Sequence, residues 1–153
     1  MPRNMDRETY SPVASAASIR FVFALSAVQG MVLSQHDIET AFLYGVLPED
    51  QRVYLRIPQG VDLPSDCVLQ CHKAIYGLKQ APRLFNNHLR AAIASLGYQQ
   101  SLSDPCVFFL VRGSDRSVLA IVVEATSKSL IDAFSAHMDK TYRIKQTSAL
   151  HVL

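Results

Sequence analysis

The chain has 153 residues, of which 49% are apolar and 18% charged; this indicates one folded domain and excludes an intrinsically disordered protein. Fifteen Lys and Arg against 13 Asp and Glu leave a net charge of +2, so charge alone makes no strong case for nucleic acid. Six glycines and seven prolines are too few for collagen or a low-complexity linker.

Cysteine usage and hydropathy bear on the compartment. Cys67, Cys71 and Cys106 form no CxxC pair, so we expect free thiols in a reducing, intracellular compartment, either cytoplasm or nucleus. The most apolar early stretch, residues 21–28, is far shorter than a membrane span and follows an acidic segment unlike a signal peptide. We therefore expect no membrane partner, and the oligomeric state stays open.

Helix-type and strand-type patterns are mixed along the chain. Residues 1–9 are polar and predict a loose tail. In chain order, the pattern then predicts a helix at 18–30, a strand at 32–38, helical turns at 40–47, strands at 52–57 and 67–72, a helix at 82–96, strands at 106–112 and 117–124, and a helix at 129–142. The sequence GSDR at 113–116 signals a hairpin between two strands. Hairpins without strict βαβ alternation predict an α+β fold.

Few residues suggest chemistry on spacing alone. Asp37, at the end of an apolar strand, suits either a metal-binding carboxylate or a solvated strand-end aspartate. Residues 76–82 enter a helix N-terminus with Gly77 and Lys79, which suits either a weak phosphate site or a structural turn. The five histidines show no paired-ligand spacing.

Ordered sequence blocks carry a more specific signal. They are YSPVA with SIR (10–14 and 18–20), QHDIETAFLYG (35–45), YLRIPQG (54–60), AIYGLKQAPR (74–83), SDPCVF (103–108) and YRIK (142–145). In this order they resemble the motifs of copia-type LTR-retrotransposon reverse transcriptases. The resemblance covers about residues 9 to 153.

The resemblance implies a right-hand polymerase fold and RNA-directed DNA synthesis. Residues 10–153 would form the palm and part of the fingers, with a small antiparallel sheet packed on helices. In such enzymes, palm carboxylates hold two divalent metals, Mg²⁺ by family, that activate the primer 3′-hydroxyl. Asp37 matches the first of these carboxylates and is the expected metal ligand.

The same resemblance assigns binding roles. Phe42 matches the aromatic residue that screens the 2′-hydroxyl of an incoming nucleotide, and Tyr76 and Gly77 match the segment that lines the nucleotide pocket. Lys79 and Arg83 are expected to contact an RNA or DNA template–primer. Asp37 and Phe42 are then expected near one open groove, with Tyr76 and Gly77 on the same side.

The expected catalytic hairpin departs from the family pattern. The family carries a Tyr-Val-Asp-Asp turn and a returning strand, whereas residues 119–125 read LAIVVEA and lead into the last helix. As a substitution, Glu124 and Ala125 replace the two aspartates, and Glu124 is a doubtful catalytic residue. As a deletion, the turn and the returning strand are lost; this interpretation is favoured because the expected strand is missing too. Either way metal ligands are lost, and we expect no polymerase activity.

Two further expectations follow. The basic finger strands before the first block and the palm strand after the last are expected to be missing, so the domain is expected to be truncated at both ends. The alternative to an inactive remnant is a non-catalytic module that binds nucleic acid or a protein partner through a basic surface that includes Lys73, Lys79, Arg83 and Arg90.

Overall fold

The computed structural model describes residues 9–64, 66–120, 122–125 and 128–151. The predicted tail therefore lies, except for Thr9, outside the described residues. The described chain divides into two compact units, with the boundary in the middle of a helix between His88 and Leu89. The pocket unit consists of Thr40–His88 with residues 9–11, and the sheet unit consists of Pro12–Glu39 with residues 89–151.

Among the described residues, three α-helices and eight strands confirm the mixed α+β composition. The helices are α1 (Ala16–Gln29), α2 (Ala81–Ser95) and α3 (Lys128–Thr141), with 3₁₀ turns at Ala41–Tyr44 and Glu49–Gln51. The strands are β1 (Val32–Ile38), β2 (Val53–Leu55), β3 (Leu69–Cys71), β4 (Gln99–Gln100), β5 (Val107–Arg112), β6 (Asp115–Ala120), β7 (Val122–Ala125) and β8 (Ile144–His151). In the described part of the chain, no helix is long and apolar enough to cross a membrane.

Local signals set the ends of α1. The Ser15 hydroxyl accepts a hydrogen bond from the Ser18 N–H at 3.0 Å and caps the first turn. Gly30 adopts φ 62°, and its N–H donates to the Ser26 carbonyl. A left-handed residue after the last turn favours glycine, because other side chains are strained there. Gly30 thus marks the end of this helix.

The sheet unit is built on a six-stranded antiparallel sheet in the order β4-β5-β6-β7-β1-β8. Its strands include those predicted at 32–38 and 106–112. β5 and β6 are joined by Gly113 and Ser114, since Arg112 pairs with Asp115. Gly113 has φ 61°, which suits a two-residue hairpin loop.

The strand predicted at 117–124 is wrong as a single element. β6 ends at Ala120, which pairs with Val122 in β7, and Ser117 pairs with Ala125. β7 therefore runs antiparallel to β6 and returns along it. The returning strand, whose loss was the favoured interpretation, is present as β7, and it pairs on its other side with β1.

Helices α2 and α3 pack on the same face of this sheet. Their apolar stripes meet Phe108 of β5 and Leu119 of β6 around one small cavity, of about 50 Å³. The helix residues that line it are Leu89, Ile93, Phe134 and Met138. All but a few per cent of their surface is buried, which confirms the predicted packing of these two helices.

The pocket unit has a smaller framework. β2 and β3 form a two-stranded antiparallel sheet in which Val53 pairs with Cys71. The chain after the 3₁₀ turn is fixed by hydrogen bonds from the Leu47 N–H to the His72 carbonyl and from the Ala74 N–H to the Gly45 carbonyl. A Cβ at Gly45 would lie 2.9 Å from the Leu84 Cβ, so glycine permits this close approach.

Candidate functional site

Two predicted site residues, Phe42 and Tyr76, meet in the pocket unit. Phe42 lies in the 3₁₀ turn Ala41–Tyr44, and its ring centroid is 6.0 Å from that of Tyr76 with a 33° tilt. Phe85 of α2 packs edge-on against Phe42 at 6.5 Å. Tyr76 is 90% exposed. The Tyr76 ring therefore faces solvent, whereas the Phe42 ring packs against Phe85.

These rings line an open, mostly apolar groove, the aromatic pocket, of about 440 Å³. Its lining residues come from two chain segments: Thr40, Ala41, Phe42, Leu43, Ile75 and Tyr76. Thr40 adopts φ 52°, an uncommon conformation for a β-branched residue. The 3₁₀ segment that carries Phe42 begins directly after Thr40.

Gly77 is required for its backbone conformation. The Leu78 N–H donates to the Ile75 carbonyl at 3.3 Å, and Gly77 has φ 94°, which together describe a four-residue turn of type II with glycine at its third position. A Cβ at Gly77 would meet no atom within 4 Å. The turn presents Tyr76 at its second position, so Gly77 acts by shaping the segment that carries the ring.

The two cationic residues predicted to bind nucleic acid differ in exposure. Lys79 is exposed at the entrance to α2. Arg83, in the first turn of α2, is half-buried, and its Nη2 lies 3.5 Å from the Gln51 Oε1. Lys79 is therefore the more accessible cation for a phosphate.

Asp37 lies near the end of β1 in the sheet unit, and it is exposed. Its cross-strand partner is Lys145 of β8, whose ammonium lies 3.4 Å from the Glu39 Oε1. Opposed residues of an antiparallel pair share one face of the sheet. A lysine thus occupies the face on which Asp37 would receive a cation.

The backbone register separates Glu124 from Asp37. Glu124 pairs with Leu33, and Ala125 with Val32, so Glu124 is four residues from Asp37 along the ladder, or roughly 13 Å at about 3.3 Å per residue. Ala120 and Val122 form the end of the β6–β7 hairpin. Continuing the β1–β7 register by one residue sets Val122 level with Gln35, two residues from Asp37. Neither Ala120 nor Val122 has a side-chain oxygen.

Comparison with known proteins gives the family. Residues 2–152 match the family described as "Reverse transcriptase (RNA-dependent DNA polymerase)". The chain belongs to this reverse transcriptase family. It is 40% identical over 119 residues to the "Retrovirus-related Pol polyprotein from transposon RE2" of Arabidopsis thaliana, covering 76% of this chain and 8% of that protein.

Two other relatives support a copia-type reverse transcriptase domain. The transposon RE1 Pol polyprotein of Arabidopsis thaliana is 32% identical over 94% of this chain and 10% of its own length. The transposon TNT 1-94 Pol polyprotein of Nicotiana tabacum is 30% identical over 90% of this chain and 11% of its own length. The chain thus spans about a tenth of these curated relatives. No solved structure matches it.

The divalent metals that reverse transcriptases use do not fit the carboxylates of this domain. Two-metal catalysis needs several oxygen ligands that converge on one point. Among the described residues, no three His, Cys, Asp or Glu side chains come together in a way that could hold a metal ion. Asp37 faces Lys145, and Glu124 is displaced along β7. The implied Mg²⁺ site is therefore not formed by this donor set.

Sequence reasoning missed two residues beside the predicted site. Phe85, which supports Phe42, belongs to the apolar stripe of α2 and carries no signal of a binding role. His36 is adjacent to Asp37; its Nε2 lies 2.9 Å from the Ser34 hydroxyl, and its ring packs edge-on against Phe134. Burial lowers the pKa of His36, although Asp139 acts in the opposite direction.

Proposed function

We propose that this copia-type reverse transcriptase domain does not extend primers. The observation that supports the proposal is the register of β7 on β1, which sets Ala120 and Val122 at the hairpin end and Glu124 four residues from Asp37. A single exposed carboxylate holds Mg²⁺ weakly, because the ion gives up its water reluctantly and requires near-octahedral geometry. Each 1.36 kcal/mol of lost transition-state stabilisation costs about tenfold in rate.

Primer extension tests this proposal. The purified chain is incubated with poly(rA)/oligo(dT), labelled dTTP and either Mg²⁺ or Mn²⁺, beside an active reverse transcriptase as positive control. We expect no extension above the no-protein background. Metal-dependent extension by the unmodified chain that Asp37→Asn abolishes would overturn the proposal.

A pair of matched variants tests the register itself. Ala125→Asp restores an aspartate where the substitution interpretation places one, but residue 125 pairs with Val32, so we expect no gain in Mn²⁺ affinity. Val122→Asp places a carboxylate two residues from Asp37 along the ladder, and we expect measurably tighter Mn²⁺ binding by electron paramagnetic resonance. The reverse order of the two affinities would contradict the register.

A second candidate function, non-catalytic binding of single-stranded nucleic acid, is favoured by the aromatic pocket. Bases stack on aromatic side chains at about 1–3 kcal/mol per base, whatever their sequence. Tyr76 offers an exposed ring supported through Phe42, and Lys79 supplies an exposed charge at the start of the adjoining helix. With a net charge of +2, we expect weak, salt-dependent binding.

Fluorescence anisotropy with a labelled poly(dT) or poly(rU) oligonucleotide tests this candidate. Tyr76→Ala is expected to weaken binding by about 5- to 150-fold, which corresponds to one lost stacking contact. Tyr54→Ala is the matched control, because Tyr54 is a 52% exposed tyrosine in the same unit outside the aromatic pocket. Equal losses from the two variants, or no binding at low salt, would contradict this function.

A further inference from the structure

Helix α1 has an unusual composition for a helix with a solvent-facing side. Arg20 is its only charged residue, and its buried side is formed by Val22 and Ser26. On the opposite side, Ala17, Phe21, Ala24 and Val28 are all exposed. Phe21 is 64% and Val28 85% exposed. A helix that is apolar on all sides is typical of one that is covered on all sides.

The four residues Ala17, Phe21, Ala24 and Val28, here called the α1 stripe, are spaced by four, three and four positions. This spacing places them in one row along the helix. Along that row small and large side chains alternate: alanine, phenylalanine, alanine, valine. The row lies about half a turn from the buried residues, so the packing of α1 on its own sheet does not use it.

This alternation is self-complementary under a two-fold axis. If two copies of α1 pack antiparallel, with the axis between positions 22 and 23, Phe21 of one copy faces Ala24 of the other, and Val28 faces Ala17. Every large side chain then meets a small one, which is how facing layers of well-packed helices interlock. A symmetric dimer uses the same patch on both copies in this way.

Charge also favours the antiparallel arrangement. In a parallel pair in register, Arg20 would lie level with Arg20 of the second copy, and like charges at close range are destabilising. In the antiparallel pair, Arg20 comes level with Leu25 of the second copy. The two guanidinium groups are then offset along the helix axis and remain in solvent.

We propose that the α1 stripe is a docking surface for a second copy of this chain, in an antiparallel, two-fold symmetric helix pair. A single four-residue row is smaller than the roughly 800 Å² that each partner buries in a standard-size interface. The dimer is therefore weak and reversible, and it forms in the micromolar-to-millimolar range of protein concentration.

Sedimentation equilibrium over that concentration range tests the proposal. Phe21→Ser is expected to raise the dimer dissociation constant about tenfold or more, because it removes a large apolar contact at the centre of the interface. Phe23→Ser is the matched control: the same residue type on the same helix, 42% exposed but outside the α1 stripe. Circular dichroism and urea denaturation serve to check that both variants fold.

Cross-linking tests the geometry independently of affinity. In a Cys67→Ser, Cys71→Ser background, an equimolar mixture of Ala17→Cys and Val28→Cys proteins is expected to form a heterodimeric disulfide on mild oxidation. Ala17→Cys alone is expected to form none, since antiparallel packing sets the two positions about 16 Å apart along the axis. Self-cross-linking of Ala17→Cys would indicate a parallel rather than an antiparallel helix pair, and it would overturn the proposal.

A chain that stays monomeric at every concentration would also overturn it, and another partner would then cover α1. Dimerisation that Phe21→Ser and Phe23→Ser weaken equally would assign the interface to another surface. Support requires a dimer that is sensitive to Phe21 and insensitive to Phe23, together with the mixed Ala17→Cys and Val28→Cys disulfide.

Discussion

The two units of the chain retain different parts of what their sequence motifs predict. In the pocket unit, Phe42 and Tyr76 are in ring contact on an open groove, and Gly77 has the backbone conformation that positions Tyr76. In the sheet unit, the strand that carries Asp37 is fully formed, and the end of the neighbouring hairpin is formed by Ala120 and Val122. The aromatic residues of the pocket unit thus share one groove, whereas the strand register of the sheet unit sets Glu124 four residues from Asp37 along the ladder.

This comparison shows that aromatic ring contacts and two-metal centres depend on different structural properties. Ring contacts in the pocket unit depend on a local turn and a few hydrogen bonds, and they tolerate change elsewhere in the chain. A two-metal centre depends on the relative register of two strands, where a shift of one residue moves a side chain by about 3.3 Å and to the other face. A two-metal centre is therefore more sensitive than a ring contact to the register of a hairpin.

The largest expected effect comes from breaking the core of the sheet unit. Phe134 is 4% exposed and packs edge-on against His36 and Tyr98. Phe134→Ala removes these contacts and enlarges an existing cavity, so we expect a loss of about 3–5 kcal/mol in the free energy of unfolding, measured by urea denaturation. Phe109→Ala, at a site 39% exposed on β5, is the control and should cost clearly less; equal costs would contradict the assigned core.

A smaller effect is expected from the hydrogen bonds between the start of α1 and Asp104. The Asp104 carboxylate accepts hydrogen bonds from the Ser18 hydroxyl at 2.5 Å, the Cys106 N–H at 2.9 Å and the Ser15 N–H at 3.1 Å. These donors, the Ser18 hydroxyl first, hold the pKa of Asp104 below its ordinary value of 3.8. Asp104→Asn is expected to lower the free energy of unfolding by about 1–3 kcal/mol at pH 7.

The pH dependence of this effect has a definite sign. A carboxyl whose pKa is lower in the folded protein contributes stability above its unfolded pKa, and that stability is lost as the pH falls through the folded pKa. The difference between the unmodified chain and Asp104→Asn should therefore be largest near neutral pH and shrink below about pH 4. Asp132→Asn, at an exposed position on α3, is expected to change stability by less than about 0.5 kcal/mol. A difference that grows in acid would contradict the assigned hydrogen bonds.

Most of the fold could be predicted because its signals are local. Gly30 and Gly113 mark a helix end and a hairpin by their own backbone preferences, and the stripes of α2 and α3 have helical period. The turn between β6 and β7 could not be predicted, because residues 118–123 read VLAIVV and contain none of the residues that favour turns. In the structure β7 pairs with β6 and also with β1, a strand distant in sequence, and such long-range pairing leaves no local signal.

Less could be predicted at the candidate site and in α1. The family motifs point to Phe42 and Tyr76, whereas the contribution of Phe85 depends on tertiary packing. In α1, Phe23 is 42% exposed although the adjacent Val22 is buried. A helix that is apolar on every side gives periodicity little basis for choosing which side is buried.

The pocket unit is expected to respond to backbone strain at Gly77. An alanine at φ 94° costs about 1–3 kcal/mol, so Gly77→Ala should destabilise the chain within that range and distort the turn that holds Tyr76. Gly60→Ala is a matched control, since Gly60 has φ 92° and a Cβ there also meets nothing within 4 Å. Both variants should lose similar stability in urea denaturation, but Gly77→Ala alone should weaken oligonucleotide binding. An equal loss of binding in Gly77→Ala and Gly60→Ala would contradict a specific role of this turn in the aromatic pocket.

The smallest expected effect is that of the exposed cation at the entrance to α2. Because Lys79 is exposed, Lys79→Gln should leave the free energy of unfolding within about 0.5 kcal/mol of the unmodified chain. If Lys79 neutralises one phosphate, the slope of log affinity against log salt concentration should fall by about one, because one fewer counterion is released on binding. Arg56→Gln removes an exposed charge elsewhere in the same unit, and it should leave the slope unchanged. Anisotropy titrations at several salt concentrations measure both slopes; a common decrease would mean that binding depends on net charge, whereas a decrease confined to Lys79→Gln would assign one phosphate contact to the start of this helix.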